Sequence, residues 1–159
     1  MKKLHTPVSI HFLFGTRDSK PLIEQPMQNR LWSYMGGICR QMKIEVHEIG
    51  GVSNHAHLLL SLPPHISVST AMQNVKSISS RWMNKTFYTR ERNFRWQTGY
   101  LAHTIHASEI ALYKSYIRNQ HQLHQKTPFE AEFKRLEEVI RASGKSSRTQ
   151  KPEQVPEPA

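Results

Sequence analysis

Cysteine is almost absent from the 159-residue sequence; the single one is Cys39. A lone cysteine makes neither an internal disulfide nor a cysteine-rich zinc site. Long apolar runs are also missing. None approaches the roughly 18 residues of a membrane span, so no membrane partner is expected. The opening MKKLHTPVSIHF is basic but lacks an apolar stretch of about 7–15 residues, so it is not read as a secretory signal, and a cytoplasmic location is expected. There is no Walker-type glycine loop, hence no signal for ATP chemistry. Acidic residues are scarce: 12 Asp and Glu stand against 22 Lys and Arg, a formal charge of +10. These exclusions leave a basic, soluble protein with 37% hydrophobic residues, enough for a core at this length. A polyanion, most often nucleic acid, is the expected partner.

Residues 143–159 read SGKSSRTQKPEQVPEPA, with three prolines and no aromatic side chain. Such a stretch buries too little apolar surface to offset its ordering entropy, which predicts a disordered tail after one domain over 1–142. The tail carries three basic and two acidic residues, so the domain keeps a charge of +9. Within the domain strands and helices alternate. Val8 to Phe14 is rich in β-branched and aromatic residues and stops at Gly15, predicting a strand. Pro26 suits the first turn of a helix reaching Met42, with Leu31, Tyr34, Met35 and Ile38 on one stripe. Ile44–Ile49 alternates as a half-buried strand does, residues 50–54 read as a turn, and His55–Leu62 is a second strand stopped by Pro63-Pro64. Ser67 or Ser69 can cap a helix running to Lys85. A basic aromatic loop to Gln97, a strand within 99–107, a helix from Ser108 to Gln125 and a helix opened by Pro128 complete the pattern. The order β-α-β-β-α-β-α-α is that of an α+β, ferredoxin-like or RNA-recognition-type antiparallel sheet with helices on one face and extra C-terminal helices.

Three groups of residues can carry chemistry. His55 and His57 stand two apart on a predicted strand and therefore point to the same face, where two imidazoles can present nitrogens to one metal ion. Two packed, hydrogen-bonded histidines would read the same way, and ten histidines make chance pairs common. Tyr116 and Gln120 share a helix face at i, i+4; a tyrosine hydroxyl can act as a covalent nucleophile and a glutamine carbonyl can bind a hard cation. On spacing alone Tyr113, one turn earlier, is an equally good nucleophile. The segment from Lys76 to Arg95 holds Lys76, Arg81, Lys85, Arg90, Arg92 and Arg95 against one acid, Glu91, with Trp82, Phe87, Tyr88, Phe94 and Trp96 interleaved. Cations for phosphates and rings for bases suit single-stranded nucleic acid. Of these, Trp82 is expected in the core and Arg90, Arg92 and Arg95 at the contact.

Taken in order, GGVSNHAHLLLSLPP, SVSTAMQNVKSISSRWMN with FRWQTGY, and YIRNQ resemble the single-tyrosine HUH transposases, TnpA-like enzymes of small insertion sequences and their relatives associated with repeated extragenic palindromes (REP). The similarity runs from about His11 to His124. It implies that His55 and His57 bind a divalent ion, Mg²⁺ or Mn²⁺, that Tyr116 is the nucleophile, and that Gln120 on the same helix completes the metal site. It further implies a homodimer that cleaves and rejoins single-stranded DNA at ends marked by imperfect hairpins. Family members usually carry a bulkier hydrophobe where Ala56 stands, and often an Asp in place of Asn54. Ala56 should face the core, and an acid at position 54, where this sequence has Asn, could orient a histidine. The chemistry suits these residues. A divalent ion neutralises a phosphodiester that repels anions, and a covalent phosphotyrosine conserves the bond energy so that rejoining needs no ATP. A different class, a non-catalytic RNA-recognition-type module, fits the fold order and charge, but no segment carries the aromatic-glycine motif of its central strand.

Overall fold

In the computed structural model, which describes residues 8–148, with side chains as far as Ala142, the chain divides into two compact units, one up to Lys126 and one from Thr127 on. The first unit holds one antiparallel sheet of four strands, β1 (Val8–Gly15), β2 (Glu45–Val52), β3 (His55–Leu62) and β4 (Leu101–Thr104), in the order β2-β3-β1-β4. The helices α1 (Gln25–Gln41) and α2 (Val68–Thr86) lie between β1 and β2 and between β3 and β4 in sequence, which gives the expected α+β order. Pro26 sits in the first turn of α1, where its missing N–H costs no helical bond. The Ser67 hydroxyl accepts the Thr70 backbone N–H at 3.1 Å and caps α2.

The period of two in β1 and β3 sorts their residues onto two faces. Ile10, Phe12 and Phe14 of β1 and Ala56, Leu58, Leu60 and Leu62 of β3 join Leu31 and Met35 of α1 and Met72, Val75 and Met83 of α2 in the main core. Each fully buried Phe, Leu or Met contributes about 1.5–3 kcal/mol of transfer free energy, so this layer dominates the stability. The opposite face carries Ser9, His11, His57, Leu59 and Ser61. There Leu59 packs with Ile105 and with Ile117 of α3 (Ile110–Arg118) in a smaller cluster. Gly50 has no side chain, which lets Ile117 approach β2: a Cβ there would lie 3.0 Å from Ile117 Cγ2.

Several boundaries differ from those read in the sequence. Gly50 and Gly51 belong to β2, and the turn is only Ser53-Asn54, because Val52 pairs with His55. A bulge between Val46 and Glu48 shifts the register and lets the strand continue. The strand expected within 99–107 is confined to Leu101–Thr104, opposite Ile10 to Leu13 of β1. The expected helix 108–125 opens with a 3-10 turn (Ala107–Glu109) and is interrupted at Asn119 (φ −95°, ψ 19°), giving α3 and a short α4 (Gln120–His124). Tyr116 and Gln120 therefore stand on consecutive helices. The second unit is α5 (Phe129–Arg148), which runs past Ser143, where the tail was expected to begin; the rest of that segment, 149–159, lies outside the described residues.

Candidate active site

His55 and His57 enter the site because β3 is the central strand between β2 and β1, buried along its whole length. Both are fully buried, and ring nitrogens of the two lie within 4.8 Å of each other. Ala56 between them faces the main core, as the strand alternation requires. A buried imidazole needs partners for both nitrogens. The Asn54 Oδ1 lies 2.8 Å from His55 Nδ1. On the other side Gln120 Oε1, brought in by α4, lies 3.0 Å from His55 Nε2 and 3.0 Å from His124 Nε2. Two carbonyl oxygens thus flank one ring that, when neutral, has one N–H to give. With Nδ1 donating to Asn54, the Nε2 lone pair and the Gln120 oxygen converge as two ligands of one cation would. Two imidazole nitrogens and an amide oxygen are a mixed nitrogen and oxygen donor set, so the residues present fit a divalent metal ion.

His57 is held from the opposite side. Its Nδ1 lies 2.8 Å from His11 Nε2, and His11 Nδ1 lies 2.8 Å from His103 Nε2. The His11 and His57 rings are 2° from parallel with centroids 5.1 Å apart, edge to edge along their hydrogen bond. Burial lowers the pKa of His103, partly offset by the nearby Glu109 carboxylate. Neither His11 nor His103 was singled out from the sequence. The one available signal was His11 alternating with Ile10 and Phe12 on β1; its partner lies 92 residues further on, and no spacing rule connects them.

The two tyrosines separate by position. The ring of Tyr116 is 5.4 Å from that of His57 and stands edge-on to it. Tyr113 lies against His11 at 5.3 Å and His103 at 5.6 Å instead. Burial, and then the Glu109 carboxylate, raise the pKa of Tyr113, which disfavours its phenolate. Tyr116 also borders an open groove with Asn119, Gln122, Leu123, Gln125 and Lys126. An ion pair at 2.9 Å between Arg118 and Glu48 joins the end of α3 to β2.

The basic segment is brought together only in part. Arg81, Lys85, Arg90, Arg92 and Arg95 are exposed. Arg92 pairs with Glu24 at 3.0 Å and, with Arg95, lines a hollow shared with Arg17 and Lys20. Lys76 is turned inward: its ammonium donates to the Gln97 and Gly99 carbonyls, both at 2.7 Å, and burial lowers its pKa. Of the aromatics, Phe94 is fully buried, Trp96 donates to Ser79 at 2.9 Å, and Tyr88 donates to the Leu22 carbonyl. Trp82 is only half-buried, stacked on Tyr34 with ring centroids 4.3 Å apart. These rings fold back into the protein, while the loop arginines point outward.

A family description, the IS200-like transposases, matches residues 5–120, most of the chain. The chain belongs to this family. At the sequence level this IS200-like protein is 25% identical over 114 residues to the transposase for insertion sequence element IS200 of Salmonella typhimurium, covering 69% of the chain and 74% of that relative. The Salmonella typhi transposase of the same element matches to the same extent. In fold it is similar to a putative transposase from Deinococcus radiodurans R1 (TM-score 0.60, 21% identity, 76% of this chain and 98% of that one). It is also similar to a REP-associated tyrosine transposase solved bound to a REP hairpin (TM-score 0.58, 15% identity, 78% and 73% covered). Membership of the family makes this a DNA transposition protein. Among the described residues, no helix is long and apolar enough to cross a membrane.

Proposed function

We propose that the protein is a metal-dependent transposase that cleaves and rejoins single-stranded DNA at ends marked by imperfect hairpins, acting as a homodimer in the cytoplasm. The observation that carries this reading is the meeting of His55, His57, Gln120 and Tyr116 on one face of the sheet, from β3, α4 and α3. His55, His57 and Gln120 would hold Mg²⁺ or Mn²⁺, which when bound supplies charge neutralisation at the scissile phosphate and steadies the leaving oxygen. Asn54 fixes the His55 ring so that Nε2 faces the ligand space. The Tyr116 hydroxyl loses its proton as its oxygen attacks phosphorus. The bond from phosphorus to the 3′ oxygen breaks, and that oxygen leaves as a 3′-OH. A 5′-phosphotyrosine remains on Tyr116. Attack by another 3′-OH reverses the step, returns the phenol and needs no nucleotide hydrolysis. Tyr116 is preferred to Tyr113 because its ring stands beside the His57 ligand, whereas Tyr113 lies over His11 and His103 with its phenolate disfavoured.

Arg81, Lys85, Arg90, Arg92 and Arg95 would bind phosphates along the strand; Lys76 would serve the DNA by bracing the 97–99 loop. The catalytic domain is taken as residues 1–142, with 143–159 outside the chemistry. The test is to incubate the protein with single-stranded element-end DNA and Mn²⁺ and to look for a covalent adduct on a denaturing gel. Wild type and Tyr113→Phe should form it, and Tyr116→Phe should not. His57→Ala should bind hairpin DNA without cleaving it. Adduct from Tyr116→Phe at the wild-type level would remove Tyr116 from its role. Absence of metal-dependent cleavage in wild type, with equal affinity for RNA and DNA, would favour an RNA-recognition-type binding module instead.

A further inference from the structure

The contacts of His57 Nδ1 lead through His11 to His103, three imidazoles on three neighbouring strands, β3, β1 and β4. His11 and His103 are directly paired across β1 and β4, and His57 is one step diagonal on β3, paired with Leu13. All three therefore emerge on the face of α3. A neutral imidazole has one N–H and one lone pair, so a row of them joined ring to ring can be ordered in only two directions. In the first, His57 Nδ1–H donates to His11 Nε2 and His11 Nδ1–H donates to His103 Nε2. His57 Nε2 then carries the lone pair. In the second, each bond is reversed, and His57 Nε2 carries a hydrogen that blocks it as a ligand.

We infer that His11 and His103 are positioning residues that select the first order, fixing His57 as the Nδ1–H tautomer with its Nε2 lone pair ready for the metal. The geometry supplies two reasons. The His11 ring, parallel to that of His57 and joined to it edge to edge, fixes the plane of the His57 ring as well as its proton. His103 ends the row in a half-buried position, whereas His11 and His57 are fully buried, so the outward direction delivers the last N–H to the least buried ring of the three. Metal-bound histidines elsewhere commonly donate their second N–H to a carboxylate or carbonyl; here neutral imidazoles take that place. A carboxylate partner would bring negative charge into a site that must admit phosphate, whereas an imidazole accepts the same hydrogen without it.

The inference rests on the reading of His57 as a metal ligand, and the experiment separates the two. Ring ¹⁵N NMR of the metal-free protein at about pH 8, where histidine of ordinary pKa is neutral, reports the His57 tautomer directly. It should be Nδ1–H in wild type. In His11→Leu the Nε2–H form should become substantially populated. In His11→Gln, whose amide oxygen reaches the place of Nε2, the Nδ1–H form should return. Mn²⁺ titration by calorimetry should show about 10–100-fold weaker binding for His11→Leu and recovery to within a few-fold for His11→Gln, the range for removing a partner that orients a ligand. His103→Ala, at the half-buried end of the row, should shift the tautomer balance in the same direction by less. Wild-type His57 as Nε2–H, or folded His11→Leu with unchanged tautomer and Mn²⁺ affinity, overturns the inference. If His11→Leu does not fold, the wild-type spectrum and His103→Ala decide it. If the tautomers follow the pattern but His57→Ala binds Mn²⁺ as wild type does, the histidine row stands and the metal assignment falls.

Discussion

Gly50→Ala tests how closely α3 must sit on the sheet for the site to work. Gly50 lies in β2 opposite His57 of β3, and its α-carbon faces Ile117, the residue after Tyr116. A methyl group there would lie 3.0 Å from Ile117 Cγ2 and 3.1 Å from the Ile117 carbonyl oxygen, where ordinary contact begins at 3.4 Å. The side-chain carbon can rotate away, but the carbonyl belongs to the helix backbone, so α3 has to move by a few tenths of an ångström. Such overpacking costs about 1–3 kcal/mol, which for a domain of this size lowers the melting temperature by roughly 2–10 °C. The displaced segment carries Tyr116 and leads into Gln120. A misplacement of about 1 Å near the reacting atoms costs about 100-fold, so a few tenths should slow covalent adduct formation by about five-fold, beyond any loss of folded protein. The control is Gly37→Ala in α1, where an added Cβ meets nothing within 4 Å. It should raise stability by about 0.5–1 kcal/mol and leave the adduct rate alone. The assays are a thermal melt and single-turnover adduct formation on a denaturing gel. Wild-type melting and wild-type rate in Gly50→Ala would refute the claim that the glycine sets the distance between helix and sheet.

Two further outcomes are expected. Cys39 is fully buried in α1, and burial raises its pKa to about 11, so at pH 8 the thiol stays protonated and shielded; a thiol reagent should label it only after denaturation, and rapid labelling of the native protein would contradict its place in the core. Single-stranded DNA affinity should fall steeply with salt, and Arg90→Gln with Arg95→Gln should lower the log–log slope by about 1.4, at about 0.7 per phosphate contact; an unchanged slope in fluorescence anisotropy titrations would remove these two residues from the interface.

The sequence carried the local patterns because they depend on neighbours along the chain. Alternation placed His55 and His57 on one side of a strand and Ala56 in the core. Ser67 capped α2, Pro26 opened α1, and the order of elements specified the sheet class. Position 54, where an acid was expected to orient a histidine, holds His55 through the Asn54 amide oxygen instead. Position in the loop also marked the exposed arginines, but not the inward turn of Lys76, which depends on carbonyls more than twenty residues away.

What the tertiary structure alone decided depends on register and on backbone approach. The glycines read as a turn lie in β2, because the pairing of Val52 with His55 leaves only Ser53-Asn54 to reverse the chain and Ile117 needs the space beside Gly50. The helix expected to carry both Tyr116 and Gln120 breaks at Asn119, so i, i+4 spacing did not describe how the two reach the histidines. Tyr113 and Tyr116, equal by spacing, both meet His11 but differ in their second imidazole, His103 for Tyr113 and His57 for Tyr116. The row from His57 through His11 to His103 exists only because three strands distant in sequence are hydrogen-bonded in one register. The residue types and their periodicity were sufficient to name the chemical groups; which nitrogen, oxygen and ring stand together is set by long-range pairing, which a linear pattern does not encode.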